Sequence, residues 1–213
     1  MYRYPIIVFE GIEASGKSTN LEYICRYLKK INKKFVKIRE PGGSKNSEIL
    51  RKLILNKKSN LNPKTDLLLL LASRSENIDK IIKKNYKKKI ILIDRYTDST
   101  IAYQHYGMKL NIDIIKKINN FVIEKFNPNL TFLFLVNNRN MKKRLKLRKK
   151  TNKYDKFNYK FYDNVQKGFL KIAKRKKNYF IVDSNKKNIN EVRSLLKIKI
   201  NKIIWLLWSF QKI

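Results

Sequence analysis

Five short runs of apolar, β-branched or aromatic residues punctuate the chain: Ile6 to Phe9, Phe35 to Ile38, Ile90 to Ile93, Leu130 to Val136 and Tyr179 to Val182. Continuous runs of this kind predict strands buried on both faces, because a strand with one wet face would alternate apolar and polar positions. Between them the apolar spacing changes to the period of a helix. Leu21, Ile24, Cys25 and Leu28 make one face of a helix that starts at Lys17, and Leu67, Leu70, Leu71, Ile78 and Ile81 make another after Pro63. Further helices are predicted from about Ile112 to Phe126, Asn138 to Lys149, Phe161 to Arg175 and Ile189 to Ile204. Strands alternating with helices demand right-handed crossovers, so the expected fold is α/β, a five-stranded parallel sheet with helices on both faces and ligands at the carboxyl ends of the strands. The polar stretch KLRKKTNKYDKFNYK, Lys146 to Lys160, has few core residues and reads as a mobile loop or lid between two helices.

The 213 residues suit one such domain and require no second. With 43% hydrophobic and 31% charged residues the chain is packed rather than disordered. A net charge of +35 alone would suggest nucleic acid or an anionic membrane as partner. The lysines are scattered, however, as in Lys29, Lys30, Lys57, Lys58, Lys83 and Lys84, which describes a solvated face and predicts no specific nucleic-acid site. Cys25 is the only cysteine, so the chain can form no internal disulfide and suits a reducing cytoplasm. The start of the chain lacks the apolar segment of a secretion signal. Ile203 to Trp208 is apolar but far shorter than the ~20 residues a membrane span needs.

The sharpest chemical signal follows the first strand. Gly11-Ile12-Glu13-Ala14-Ser15-Gly16-Lys17-Ser18-Thr19 satisfies the P-loop pattern GxxxxGK[ST] at a strand-to-helix turn. Such a turn aims backbone N–H groups at phosphate, the helix N-terminus adds positive potential, the lysine reaches the terminal phosphates and the serine offers a hydroxyl to Mg²⁺. The expected class is therefore a P-loop NTPase that takes Mg-ATP.

A P-loop does not name a substrate. Further motifs follow it in order: Arg39-Glu40-Pro41-Gly42-Gly43 after the second strand, Ala72-Ser73-Arg74 in a helix, Asp94-Arg95-Tyr96 closing the third strand, then Ser99-Thr100 and Ala102-Tyr103-Gln104. Together with Pro128-Asn129-Leu130-Thr131 and Gly168-Phe169-Leu170, this series resembles bacterial thymidylate kinases over most of the chain. The resemblance implies a nucleoside-monophosphate kinase that phosphorylates dTMP to dTDP with ATP and Mg²⁺, and a homodimer. It implies that Arg74 and Arg95 hold the acceptor phosphate with Arg39 and Arg51 nearby, and that Asp94 orients an arginine or the hydrated metal. Glu10 would stand at the sugar or metal. Glu40 and Ser99 belong to the substrate motifs, Thr100 and Gln104 meet the polar edge of thymine, and Tyr103 lies by the deoxyribose.

The P-loop carries no arginine, so the charge on the transferring phosphoryl group must be met from the basic lid region, which holds Arg144, Arg148, Lys149, Lys150 and Lys153. Ungapped alignment from Gly168 sets Lys153 on the position of the family's lid arginine, with Lys156 or Arg148 as alternatives and Arg144 expected against the nucleotide. Leu70 occupies a position where the family usually has an aromatic ring, and Ala14 one where glycine is common, a change the loop pattern tolerates. Two other readings stay open: a kinase for another nucleotide or small metabolite, and a basic nucleic-acid-binding protein.

Overall fold

A computed structural model describes residues 4–147 and 152–209. Each apolar run is a strand: β1 (Ile6–Glu10), β2 (Phe35–Arg39), β3 (Ile90–Asp94), β4 (Leu130–Leu135) and β5 (Tyr179–Asp183). They form one parallel sheet in the order β2-β3-β1-β4-β5. Four strands run on one residue past the expected apolar segment, to Glu10, Arg39, Asp94 and Asp183, so charged residues mark the carboxyl edge of the sheet.

Helix α1 (Lys17–Lys30) leaves the P-loop, and the long α9 (Ile189–Ser209) lies beside it on one face of the sheet. Ile7 and Phe9 point to that face and pack with Leu21, Ile24, Leu28, Val192, Leu196 and Ile200. Ile6 and Val8, pointing the other way, pack with Ile38, Ile78, Ile82, Ile123 and Phe126. The two-residue strand period thus supplies both buried surfaces. The second face is covered by α3 (Pro63–Asn77) and α6 (Ile112–Ile123), which also pack on each other through Leu67, Leu71 and Ile115.

α3 continues through a π-helical segment, Ile78–Ile82, into the short α4 (Lys83–Asn85). Three elements escape the sequence reading. α2 (Lys45–Leu55) is capped by Ser44, whose side chain accepts from Ser47 N. After β3 the chain forms α5 (Thr97–Thr100) and then a π-helical segment, Ile101–Gly107. α7 (Asn138–Lys146) precedes the charged loop and α8 (Tyr159–Lys174) follows it. The described part of the expected lid is not bare loop: Lys153–Lys156 form a 3-10 turn closed by a capping box between Asn152 and Asp155.

Candidate active site

The carboxyl edge of the sheet opens into a cleft of about 650 Å³. At one end lies the glycine-bounded turn. Gly11 stands at φ 139°, and a side chain there would drive into the Phe134 carbonyl and approach Ser15 Oγ to 2.9 Å, so angle and space both call for glycine. Gly16, at φ 96°, stands as the N-cap of α1, whose first residues Lys17, Ser18 and Thr19 line the cleft. Ala14 sits in the left-handed region at φ 54°, which costs an L-residue about 1 kcal/mol. Glycine would fit there better, contrary to the expectation that alanine is indifferent.

Lys17 is buried, and its ammonium donates to Ile12 O at 2.8 Å. Among the described residues it is the only buried lysine. Burial and the neighbouring Arg95 guanidinium push its pKa down to about 8, against the pull of Asp94, Glu13 and Glu10. Ser18 Oγ donates to Asp94 Oδ2 at 2.8 Å, bringing a hydroxyl and a carboxylate to one point beside the lysine. No three His, Cys, Asp or Glu side chains gather at a metal site among the described residues. A metal at Ser18 and Asp94 would therefore need oxygens from a bound nucleotide or water, as Mg²⁺ commonly does.

Arg95 crosses from the end of β3 to the P-loop, donating to Gly11 O at 2.9 Å and to Glu13 Oε1 at 2.8 Å. Its burial opposes the charge, but Tyr103, Glu13 and Asp94 together raise its pKa above the ordinary arginine value. Tyr103 also donates to Glu13, at 2.5 Å from Oε2. Burial works to raise the Glu13 pKa; Arg95 and Lys17 outweigh it, and the carboxyl is held below its usual range.

Arg39 and Arg51 line the same cleft. Arg39 donates to Glu48 Oε2 at 3.1 Å and Arg51 to Pro41 O at 2.5 Å. Burial, then the proximity of Arg39, depress the Arg51 pKa, with Arg95 adding to the repulsion. Three guanidinium groups thus repel one another around a space that an anion would stabilise.

Beyond them Arg74 is 3% exposed, with Nε on Glu40 Oε2 at 2.7 Å and Nη1 on Thr100 Oγ1 at 3.0 Å and Asn119 Oδ1 at 2.5 Å. Gln104 lies beside this cluster as a buried cleft residue whose side-chain Oε1 and Nε2 both lack a protein partner. Such an amide is costly to bury without a partner, which makes it a candidate contact for a polar ligand.

A family model, "Thymidylate kinase", matches residues 9–196. The thymidylate kinase of Thermosipho africanus is 35% identical over 90% of this chain and 96% of its own length. That of Mesoplasma florum is 36% identical over 97% and 99%. A solved thymidylate kinase from Ehrlichia chaffeensis superposes with a TM-score of 0.75 at 34% identity, covering 93% of this chain and 98% of that one. The chain belongs to the thymidylate kinase family. It is accordingly a phosphotransferase of the P-loop nucleoside-monophosphate kinase fold, as its motifs implied.

Most of the expected site residues of this thymidylate kinase family member converge on the one cleft: Glu13 to Thr19, Arg39, Glu40, Arg51, Leu70, Arg74, Asp94, Arg95, Ser99, Thr100, Tyr103, Gln104 and Arg144 all line it. Gly11 and Ile12 shape the turn from behind. Arg144 reaches over the P-loop, donating to Ala14 O at 3.0 Å.

Three expectations need correction. Glu10 does not face the cleft; its buried carboxylate accepts from Tyr96 N at 2.9 Å, Ser99 N at 3.2 Å and Ser99 Oγ at 2.5 Å, bracing the turn that follows β3. Arg74 has Nε and Nη1 engaged by Glu40, Thr100 and Asn119, which sets it beside Thr100 rather than in the group formed by Arg39, Arg51 and Arg95. Lys153 does not line the cleft, because its ammonium is ion-paired with Asp66 of α3. Arg148 lies outside the described residues. The sequence reading also missed Asn20, Leu55, Ser184, Lys187, Ile189 and Val192, all of which line the cleft, and gave no role to the lining residues Asn152 and Tyr154 that flank Lys153. Of these only Asn20, Asn152 and Tyr154 adjoin a motif.

Proposed function

We propose that the chain, as one catalytic domain with a lid near residues 146–160, transfers the γ-phosphoryl group of Mg-ATP to the phosphate of dTMP. The observation that carries this reading is the arrangement of charge in the cleft. The P-loop and Lys17 stand at one end, Arg39, Arg51 and Arg95 crowd together across from it, and the unpartnered amide of Gln104 lies beyond. Two phosphate groups in line, followed by a neutral base with polar edges, match that sequence of demands. Arg95 would hold the acceptor phosphate with Arg39 and Arg51, Lys17 and Arg144 would face the donor phosphates, and Ser18 and Asp94 would place the Mg²⁺, which supplies charge neutralisation at the transferring group. Thr100, Arg74 and Gln104 would read the base against Leu70, and Glu13 and Tyr103 would border the sugar. Kinase chemistry on a phosphate acceptor needs no general base, and His105, whose Nδ1 donates to Leu110 O at 2.8 Å, does not line the cleft.

A homodimer is part of this reading. Ile114 and Phe121, seven residues apart on α6, and Leu68 on α3 are exposed on the outer side of these packed helices, Phe121 by 83%. A partner subunit would cover that apolar surface. The single buried cysteine supports a cytoplasmic setting, and among the described residues no helix is long and apolar enough to cross a membrane.

The test is a coupled ADP assay with Mg-ATP and dTMP, dUMP, dCMP, AMP or shikimate as acceptor. Preferential turnover of dTMP, abolished in a folded Lys17→Ala variant, is the expected result. A clear preference for a non-thymidine acceptor would overturn the substrate, and full activity of Lys17→Ala would overturn the site.

A further inference from the structure

We propose that Asp66 is a positioning residue that docks the segment after the charged loop onto α3, with Lys153 as its counter-ion rather than as a catalytic group at the phosphates. The inference rests on the kinase reading of the cleft, and its central residue, Asp66, lies in none of the motifs quoted above.

Asp66 sits in the first turn of α3, one turn ahead of Leu70, and its side chain is 2% exposed. One oxygen accepts the Lys153 ammonium, and the other accepts the Tyr154 hydroxyl at 2.5 Å. Tyr154 is pinned at its backbone as well, since its carbonyl accepts the hydroxyl of Tyr162 on α8. The Tyr154 ring then meets Tyr103 edge-on with centroids 5.8 Å apart, and Tyr103 in turn bonds Glu13, the partner of Arg95. A continuous line of contacts runs from α3 through the lid to the P-loop.

The energetics give this line a direction. A buried carboxylate stripped of its cation is strongly destabilising, so Asp66 favours the docked segment that brings Lys153 to it. Docking seats Asn152 and Tyr154 in the cleft wall near Leu70 and Tyr103. The acceptor end is thus closed by a residue of the lid, and binding there depends on a carboxylate that need not touch the ligand.

The experiment compares Asp66→Asn, Lys153→Met and the double variant in the full chain. One readout is steady-state kinetics with dTMP and Mg-ATP; the other is the rate of tryptic nicking between residues 146 and 160, which needs no activity. The expected result is a rise in the dTMP KM of about tenfold or more in each single variant, with faster nicking and little change in kcat. The double variant should be no worse than the poorer single, as for two halves of one interaction. The proposal is overturned if Lys153→Met lowers kcat by about 10³-fold with KM and nicking unchanged, as loss of a cation at the phosphoryl group would. It is equally overturned if Asp66→Asn nicks like the parent. If Asp66→Asn is too unstable to assay, Lys153→Met and Tyr154→Phe decide: KM and nicking rising together support docking, and neither moving overturns it. Absence of dTMP turnover in the parent would sink the substrate assignment alone, because nicking still reports on docking.

Discussion

Ser18 and Asp94, 76 residues apart in the chain, are joined by a hydrogen bond of 2.8 Å at the mouth of the P-loop. The pairing β1–β3 produces it: Phe9 lies opposite Asp94 in the sheet, so the end of β3 falls beside the turn that follows β1. If this pair places the Mg²⁺ of the nucleotide, Asp94→Asn should raise the Mg²⁺ concentration for half-maximal rate by about 10- to 100-fold. Titration of Mg²⁺ at fixed ATP checks this, and an unchanged Mg²⁺ requirement would show that Asp94 serves only Ser18 and Arg95.

Glu10 gives the fold a pH dependence separate from catalysis. Burial, opposed by the Ser99 hydrogen bond, raises its pKa from 4.5 to about 7. The folded chain therefore keeps this proton over a range where the unfolded chain has lost it. The stabilising contribution is complete below about pH 4.5 and disappears as pH rises through about 7. Glu10→Gln, neutral throughout, should flatten this slope, and its Tm relative to the parent should climb between pH 4.5 and 7.5 by the equivalent of about 3 kcal/mol at most. Parallel Tm curves for the two proteins would contradict the assignment.

Gln104 should separate stability from function. Its amide is buried without protein partners, so Gln104→Leu removes an unsatisfied group worth about 1–3 kcal/mol and should leave the ligand-free protein as stable as the parent or more so. The same change should lower kcat/KM for dTMP by about 10²-fold, with ATP affinity near normal. Thermal unfolding alongside kinetics tests both halves, and a variant that is destabilised yet active would place Gln104 in the packing rather than at the base.

Phe121 offers the corresponding test of assembly. At 83% exposure it makes few contacts within its own chain, so Phe121→Asp should leave the fold intact. If α6 forms the dimer surface, light scattering should report conversion to a monomer at micromolar concentration. A dimer that persists would move the interface elsewhere.

The strands were legible because burial on both faces leaves a continuous β-branched signature, and the phosphate end of the cleft was legible because a P-loop is a local structure. α2 was not. Its apolar residues include Ile49 and Leu53, which remain exposed, so the helical stripe is blurred, and only the cap at Ser44 marks its start. The π-helical segment at Ile101–Gly107 owes its shape to tertiary packing: a side chain at Gly107 would collide with Phe161 of α8. The sequence placed Asn152 to Asp155 in the right region, yet assigned Lys153 to phosphate because Asp66 is hidden at the start of a run of leucines. Pairing between α3 and a loop 87 residues away cannot be read from either segment alone. Lys187 and Val192 reach the cleft by the same kind of approach, from the turn before α9 and from its first turn.

The seclusion of Lys17 from every other described lysine has a practical corollary. Its neighbours in the cleft fix its electrostatics, and the cationic coat outside contributes little through salt water beyond a screening length of about 10 Å. Away from the cleft and from paired lysines such as Lys153 and Lys176, the coat can therefore be recoded, lysine to glutamine or glutamate, to obtain a less adhesive protein for crystallisation or screening, while the Lys17 ammonium keeps its surroundings.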